Sequence, residues 1–320
     1  SASKRLGFNE MSWWQEVLKH ANVELAMEEI DHSSYKDVVR PRLAAAVDLP
    51  DIVLLDGRDN DTSYINSGIF IELTEYYDKY GYNIRKQFDN NKGLKAELTT
   101  PGGKIYYLPY IYATNNISRC LMINTGYIDA LGMKINDIKT TDDFYNYLVA
   151  VKNADLNGNG DKSDEVPLFM RSNMVQLWGM YWGLDLVDTG GYQVEDDGKV
   201  ICGYADKRYL DCLKYLNKLY KEELLYSEFA TANLDIQNAL FSNNQIGSLI
   251  HFISNCTGYS QVINETWDFF NDAPIMLPLN PPLKGPYGDQ YVYGRDALGE
   301  RVFGITKNCK DPDAVFCFID

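Results

Sequence analysis

Short apolar runs typical of strands alternate with helical patterns along this chain, and this alternation constrains its fold more than any other feature. Residues 51–55 (DIVLL) form a compact apolar run between Pro50 and Gly57, which is typical of a buried parallel strand. Helical patterns reach about Val47 before this run and cover residues 73–79 after it. Strands that alternate with helices predict an α/β lobe with right-handed crossovers.

A second unit with the same alternation follows in the chain. Its predicted elements are a strand at 119–124, a helix that Thr140 caps and that reaches about residue 153, a hairpin turn at 196–198, an amphipathic helix at 206–222 and a strand at 246–250. The chain has 320 residues, roughly twice the length of a usual domain. Length and pattern together predict two α/β units.

Charge and composition exclude several classes of protein. The 45 acidic side chains exceed the 30 basic ones, and the 45% hydrophobic content is ordinary for a globular chain. A net charge of −15 without a basic cluster argues against nucleic acid as a partner. The longest apolar runs, such as IGSLIHFIS, fall well short of the roughly 20 residues that a membrane helix needs. The sequence predicts an acidic, soluble, globular protein.

The motifs of common enzymes are missing. The chain has three histidines and six cysteines, and its sequence contains no C-x-x-C pair, G-x-S-x-G, P-loop, H-E-x-x-H or G-x-G-x-x-G. Nothing among the 45 acids singles out a catalytic pair, and the cysteine spacing leaves thiols and disulfides both open. His251 follows a predicted strand, where it is either a catalytic base or a hydrogen-bonded histidine in the core or at a ligand.

The sharpest local motif is the Asn- and Gly-rich loop at residues 155–165 (DLNGNGDKSDE). Oxygen atoms at positions 1, 3, 5 and 7 of such a loop converge on calcium. The alternative is a metal-free turn whose side chains bond their own backbone. Position 12, where a bidentate Glu is usual, holds Val166. The predicted ligands of a structural Ca²⁺ ion are Asp155, Asn157, Asn159, Asp161, Asp164 and Glu165.

The second motif is aromatic. Trp178 and Trp182 are four residues apart, on one face if the segment is helical. Aromatic rings stack on the C–H faces of sugars, and this spacing fits such a site. Core packing is the other interpretation of the same pair.

Several segments, taken in order, resemble the extracellular solute-binding proteins of ABC importers. They are DLPDIV at 48–53, GKIYYLPY at 103–110, LMIN at 121–124 with a Leu-Gly pair at 131–132, LLYSEF at 224–229 and PPLKGPYG at 281–288. The chain is most similar to the lipoprotein-type sugar binders of Gram-positive bacteria and to alginate-binding proteins. Members of that subgroup carry a calcium loop before an E-i-P step, which residues 165–167 match here. The loop is one residue longer in this chain, which leaves Asp164 and Glu165 as alternative acidic ligands.

The resemblance implies a two-lobed α/β fold of the type II periplasmic-binding-protein class, with ligand held between the lobes. Lobe one would be residues 1–111 plus 290–320, and lobe two residues 112–289. The family's opening strand and closing helices are not matched, so the chain is interpreted as truncated at both ends. Positions at strand ends and crossings single out the candidate ligand-binding residues Asp56, Asp59, Tyr110, Asn115, Trp178, Trp182, His251 and Arg295.

The predicted function is therefore capture of a sugar or oligosaccharide for an ABC permease, without catalysis. Two alternatives stay open: an extracellular carbohydrate-active enzyme, such as a hydrolase, and a sensor or peptide-binding protein of the same fold. The expected partners are a carbohydrate and the transmembrane permease subunits, with the protein itself a monomer. The resemblance implies an extracellular location, as a cell-surface lipoprotein or in the periplasm.

Overall fold

A computed structural model describes residues 7–31, 34–56, 61–112, 119–187, 190–288 and 298–320. The α-helices in chain order are α1 (Ser12–Ala21), α2 (Tyr35–Ala45), α3 (Asp61–Asn66), α4 (Thr74–Tyr80), α5 (Tyr82–Asn90), α6 (Lys92–Leu98), α7 (Thr125–Ala130), α8 (Thr141–Lys152), α9 (Lys207–Lys221), α10 (Leu234–Ser242), α11 (Asn255–Ile263) and α12 (Pro312–Ile319). The strands are β1 (Ile52–Asp56), β2 (Tyr107–Ile111), β3 (Arg119–Asn124), β4 (Tyr192–Val194), β5 (Val200–Cys202), β6 (Ser248–Phe252), β7 (Met276–Pro278) and β8 (Leu298–Ile305). A long 3₁₀ helix covers Ser172–Trp182.

The chain divides into two compact units, Ser1–Ala113 with Asp296–Asp320 and Thr114–Arg295. The first unit contains a sheet of strand order β1-β8-β2. Strand β1 pairs with β8 in the antiparallel direction, so the prediction of a parallel strand at 51–55 is wrong. A continuous apolar run shows that both faces of a strand are covered, and it carries no information on strand direction. The predicted lobe boundaries at 111 and 290 stay a prediction.

The core of the first unit combines the sheet with the helices around it. Its buried side chains come from β1, β2, β8 and from α2, α4, α5, α6 and α12, and they include Leu43, Val53, Tyr77, Ile84, Leu94, Leu108, Ile305 and Phe316. The Tyr77 hydroxyl donates a 2.6 Å hydrogen bond to the carbonyl of Tyr107, which satisfies its buried polar atom. Helix α4 is thereby attached to β2.

The second unit contains a sheet of strand order β6-β3-β7, in which each neighbouring pair is antiparallel. The extended segment 166–170 continues this layer, because Val166 and Phe169 form parallel bridges to Ile246 and Leu249. A hydrophobic cluster covers each face of the sheet. Strands β4 and β5 form a separate hairpin.

Several local predictions for the second unit are confirmed. The amphipathic helix expected at 206–222 is α9, and the Asp206 carboxylate accepts a 2.8 Å hydrogen bond from the backbone of Arg208 at its start. Thr140 and Asp143 form a reciprocal capping box at the start of α8. The turn expected at 196–198 joins β4 to β5. These features depend on residues close together in the chain, which is why the sequence predicts them.

All six cysteines lie in the part of the chain that the structure describes, and each carries a free thiol. Of the helices described, none combines the length and the apolar character that crossing a membrane would require.

Candidate functional site

Two rows of side chains cross one face of the sheet in the second unit. Met122, Leu249 and Phe169 form the first row, because Met122 pairs with Leu249 and Phe169 bridges Leu249; all three are fully buried. Side chains alternate between faces along a strand, so residues two positions away form the next row. Cys120 pairs with His251 there. Continuing the parallel register of Phe169 by two residues along the extended chain brings Arg171 beside the histidine, and the charge of Arg171 acts on the imidazole. The apolar sheet therefore ends in a polar row.

Helices α10 and α11 add polar side chains above this row. Asn255 and Tyr259 lie on one face of α11, since they are four residues apart. The Asn255 amide nitrogen is 2.9 Å from Nδ1 of His251 and 3.3 Å from the hydroxyl of Tyr259. Gln237 of α10 donates from Nε2 to the same hydroxyl at 2.6 Å. We call Arg171, Gln237, His251, Asn255 and Tyr259 the Arg171–His251 cluster.

Burial and positive charge set the protonation state of His251. Its side chain is 9% exposed, and burial, with smaller contributions from Arg171 and Arg119, lowers the pKa of His251 to about 4. The imidazole is therefore neutral at pH 7. With the Asn255 amide donating to Nδ1, the ring proton lies on Nε2. Burial also raises the pKa of Tyr259, which keeps the phenol neutral.

Two polar atoms of the cluster are buried without a hydrogen-bond partner in the described structure: Nε of Arg171 and Oε1 of Gln237. Gln237 is fully buried. Buried polar atoms are nearly always paired in native proteins, and exceptions mark sites where a ligand, ion or water completes the bonding. Their position at the end of the sheet makes the cluster a candidate ligand site.

A cavity of about 120 Å³ lies elsewhere in the second unit, between β3, the 3₁₀ helix and the segment after β7. Its lining includes Arg119, Leu121, Met180, Tyr181, Ile253 and Leu279. The Arg119 guanidinium lies 4.7 Å from the centre of the Phe252 ring. The cavity thus combines an apolar wall with one cation.

In the loop predicted to bind calcium, side-chain oxygen atoms accept hydrogen bonds from the loop's own backbone. Asp155 accepts hydrogen bonds of 2.8 Å from the backbone of both Gly158 and Gly160, and Asn157 and Asn159 accept from residues two positions later. The Asp164 carboxylate accepts from Asn159 at 2.6 Å and from Gln245 at 2.7 Å. Within the described residues, no three His, Cys, Asp or Glu side chains converge on a metal position. An ion here would use amide and main-chain oxygens besides carboxylates.

Glu165 supplies an observation that favours an ion. Its side chain is 8% exposed, and Oε1 accepts from the backbone of Leu156 at 2.7 Å and of Asn157 at 3.3 Å. Oε2 is buried and has no partner among the described residues. In contrast, the exposed Asp161 carboxylate accepts from Ser163. The donor set of Asp155, Asn157, Asn159, Asp164 and Glu165 fits a hard cation such as Ca²⁺.

The two tryptophans predicted to stack on a ligand lie in the core of the second unit, each 1% exposed. The ring of Trp178 is 5.8 Å from Phe144 and 5.5 Å from Tyr181, and the ring of Trp182 is 5.3 Å from Tyr215. This arrangement favours core packing, the second interpretation of the pair, because neither indole has a face open to a ligand.

The remaining candidates divide into described and undescribed positions. Tyr110 lies on β2, is 45% exposed and packs edge-to-face against Tyr112 at 5.0 Å. Asp56 ends β1, where it pairs with residue 301 in the sheet register. Asp59, Asn115 and Arg295 lie outside the described residues. Of the eight predicted ligand contacts, His251 is the one within the Arg171–His251 cluster.

Sequence reasoning missed Arg171, Arg119, Asn255, Tyr259 and Gln237. The two arginines could have been predicted from the sequence, because both lie at strand ends. Arg171 follows an apolar extended run, and Arg119 is the first residue of β3. No sequence pattern near Asn255, Tyr259 or Gln237 marks them as ligand-binding residues. Their approach to His251 depends on how α10 and α11 pack on the sheet.

A family model described as bacterial extracellular solute-binding protein matches residues 7–320. The chain is 28% identical over 268 residues to the fructooligosaccharide ABC transporter substrate-binding protein FusA of Streptococcus pneumoniae, covering 79% of this chain and 46% of FusA. It is 27% identical over 277 residues to lipoprotein LipO of Bacillus subtilis, covering 84% of this chain and 52% of LipO. The chain therefore spans about half the length of these relatives.

Two solved structures are similar in fold. One is an EF-hand mutant of S. pneumoniae FusA in complex with fructo-nystose, with a TM-score of 0.71 and 24% identity, covering 97% of this chain and 62% of that one. The other is the alginate-binding protein AlgQ2 without calcium ion, with a TM-score of 0.69 and 21% identity, covering 95% of this chain and 61% of that one.

Proposed function

We propose that this chain, which belongs to the bacterial extracellular solute-binding proteins, captures a carbohydrate as the solute-binding component of an ABC importer. The observation that carries the proposal is the Arg171–His251 cluster, where donors and buried unpaired atoms gather at the end of the sheet. Donors of this kind bind the oxygen atoms of sugar hydroxyl groups. The carbohydrate names borne by FusA and AlgQ2 point to the same class of ligand.

Binding without catalysis accounts for the chemistry of the cluster. A general acid or base works best with a pKa near the working pH, whereas the pKa of His251 is about 4. The neutral imidazole instead offers a fixed N–H donor at Nε2. The relatives' names are those of transporter binding proteins, and on this basis we assign no enzymatic activity to the chain. Its partners would be the permease subunits, and its location extracellular, as a cell-surface lipoprotein or in the periplasm.

Calcium belongs to the same proposal. Asp155, Asn157, Asn159, Asp164 and Glu165 would hold the ion, and the unpaired Oε2 of Glu165 supports its presence. A bound Ca²⁺ would offset two of the three negative charges of Asp155, Asp164 and Glu165. The loop leads directly into the segment 166–170 and Arg171. A loop conformation fixed by the ion would therefore help to hold Arg171 beside β6.

The test is calorimetric titration of the purified protein with a panel of neutral and acidic oligosaccharides and with peptides, followed by product analysis of each mixture. We expect saturable binding of a carbohydrate and no turnover. Replacing His251 by Ala should weaken that binding at least tenfold, because it removes the Nε2 donor. Replacing His20 by Ala, an exposed position on α1, should leave the affinity unchanged. Product formation would instead establish an enzyme, and binding of peptides alone would contradict the proposal.

A further inference from the structure

Arg171 differs from Arg42 and Arg208, two other partly buried arginines. Arg208 forms ion pairs of 2.7 Å with Glu195 and 3.0 Å with Asp206, and Arg42 forms one of 2.8 Å with Glu28. Arg171 forms no ion pair within the described chain, although its Nε is buried. Burying a guanidinium without a counter-ion costs free energy. Of the acidic side chains that the structure describes, none forms an ion pair with Arg171.

The groups around Arg171 make the site more positive. Arg171 and Arg119 both lie close enough to His251 to disfavour its protonation, and no carboxylate among the described residues acts on Arg171. Burial likewise lowers the pKa of Arg171, with Tyr259 as the one opposing group. The cluster therefore holds cationic and neutral groups together without an anion. A bound negative charge would offset the positive charge of Arg171, whereas a neutral hydroxyl group could accept a hydrogen bond but would leave that charge uncompensated.

The hydrogen-bonding groups of the cluster point to the same kind of ligand. The Tyr259 hydroxyl already accepts from Gln237 and Asn255, so its own hydrogen is left to donate. Nε2 of His251 and the guanidinium of Arg171 are donors as well. A carboxylate only accepts hydrogen bonds, and it pairs with a guanidinium through two of them. The cluster thus matches a carboxylate in charge and in donor count.

We infer that the Arg171–His251 cluster binds the carboxylate of an acidic saccharide, such as a uronate unit at one position of the oligosaccharide. This inference rests on the proposed carbohydrate-binding function and narrows its substrate class. Arg171 would supply the ion pair, and His251 and Tyr259 would supply further donors to the carboxylate or to a neighbouring ring hydroxyl.

The experiment compares two ligands with the same saccharide backbone, trigalacturonate, whose carboxylates are ionised, and its fully methyl-esterified form, whose esters are neutral. Calorimetry at low and at physiological salt should show that the acid binds at least tenfold more tightly than the ester. Replacing Arg171 by Gln should weaken binding of the acid at least thirtyfold and binding of the ester less than threefold. Replacing Arg40 by Gln, an exposed position on α2, serves as the control and should change neither affinity.

The outcomes separate this inference from the proposed function. Tight binding of neutral oligosaccharides with no preference for acidic ones would overturn the inference and leave carbohydrate capture intact. Equal losses for acid and ester in the Arg171→Gln protein would also overturn it, since they would assign the arginine a structural role. Binding of no saccharide would overturn both. If the variant fails to fold, equal affinities of the unmodified protein for acid and ester would still overturn the inference.

Discussion

The amide nitrogen of Asn255 lies 2.9 Å from Nδ1 of His251. This contact joins the first residue of α11 to β6, and it assigns the imidazole proton to Nε2 when the amide is the donor. Helix α11 thus takes part in the candidate ligand site by orienting the histidine that ends the sheet.

Lowering the pH should destabilise the protein through His251. An unfolded histidine binds its proton near pH 6.5, whereas the folded one does so only at about pH 4. The unfolded state therefore binds more protons in this range, and the free energy of unfolding falls as the pH falls from 6.5 towards 4, by at most about 3 kcal/mol from this group. Urea unfolding at several pH values measures the effect. The His251→Gln protein should show a shallower pH dependence, and His20→Gln the original one. An unchanged slope for His251→Gln would contradict this account.

Calcium should raise the melting temperature. An ion that binds only the folded state stabilises it by about 2.7 kcal/mol at 100 times its Kd. Calorimetric scans with Ca²⁺ or with chelator measure the shift. The Glu165→Gln protein should lose most of it, because its buried Oε2 is replaced, while Asp161→Asn should keep it, since that carboxylate bonds Ser163. A melting temperature independent of calcium from micromolar to millimolar would rule out the site.

Trp178 should contribute to stability through core packing. Replacing this 1% exposed indole by Ala should cost about 3–5 kcal/mol, the usual cost of removing a buried aromatic side chain. Trp13 is 57% exposed, and its replacement by Ala should cost less than about 1 kcal/mol. Urea unfolding followed by circular dichroism compares the two. A small cost at Trp178 together with lost carbohydrate affinity would instead identify it as a ligand contact.

Gly285 should tolerate no side chain. A Cβ atom at this position would lie 1.6 Å from the carbonyl oxygen of Tyr181, which belongs to the backbone of the 3₁₀ helix. Gly285→Ala should therefore destabilise the protein by at least about 2 kcal/mol. At Gly258, an exposed position within α11, a Cβ meets nothing within 4 Å, and Ala there should stabilise the helix by about 0.5–1 kcal/mol. Equal effects of the two substitutions in thermal unfolding would show that residue 285 has room to move.

Most of the fold class could be predicted from the sequence. The predicted family and the two-lobed α/β class are confirmed by the family match over residues 7–320 and by the similar solved structures. Helix α9 and the β4–β5 hairpin follow the patterns that predicted them. The antiparallel direction of β1 could not be predicted from the sequence, since β1 pairs with a strand about 250 residues later in the chain.

The site shows the same division. The sequence by itself determined the loop at 155–165, the capping of α8 and a strand near 246–250, because each depends on hydrogen bonds and periodicity among neighbouring residues. In the structure this strand is β6 (Ser248–Phe252), which includes His251 instead of ending before it. Only the tertiary structure decided that Arg171 lies beside His251, 80 positions later, and that Trp178 is buried. Strand register and helix packing are set by which apolar faces bury one another across the whole unit, and no short window of sequence contains that information.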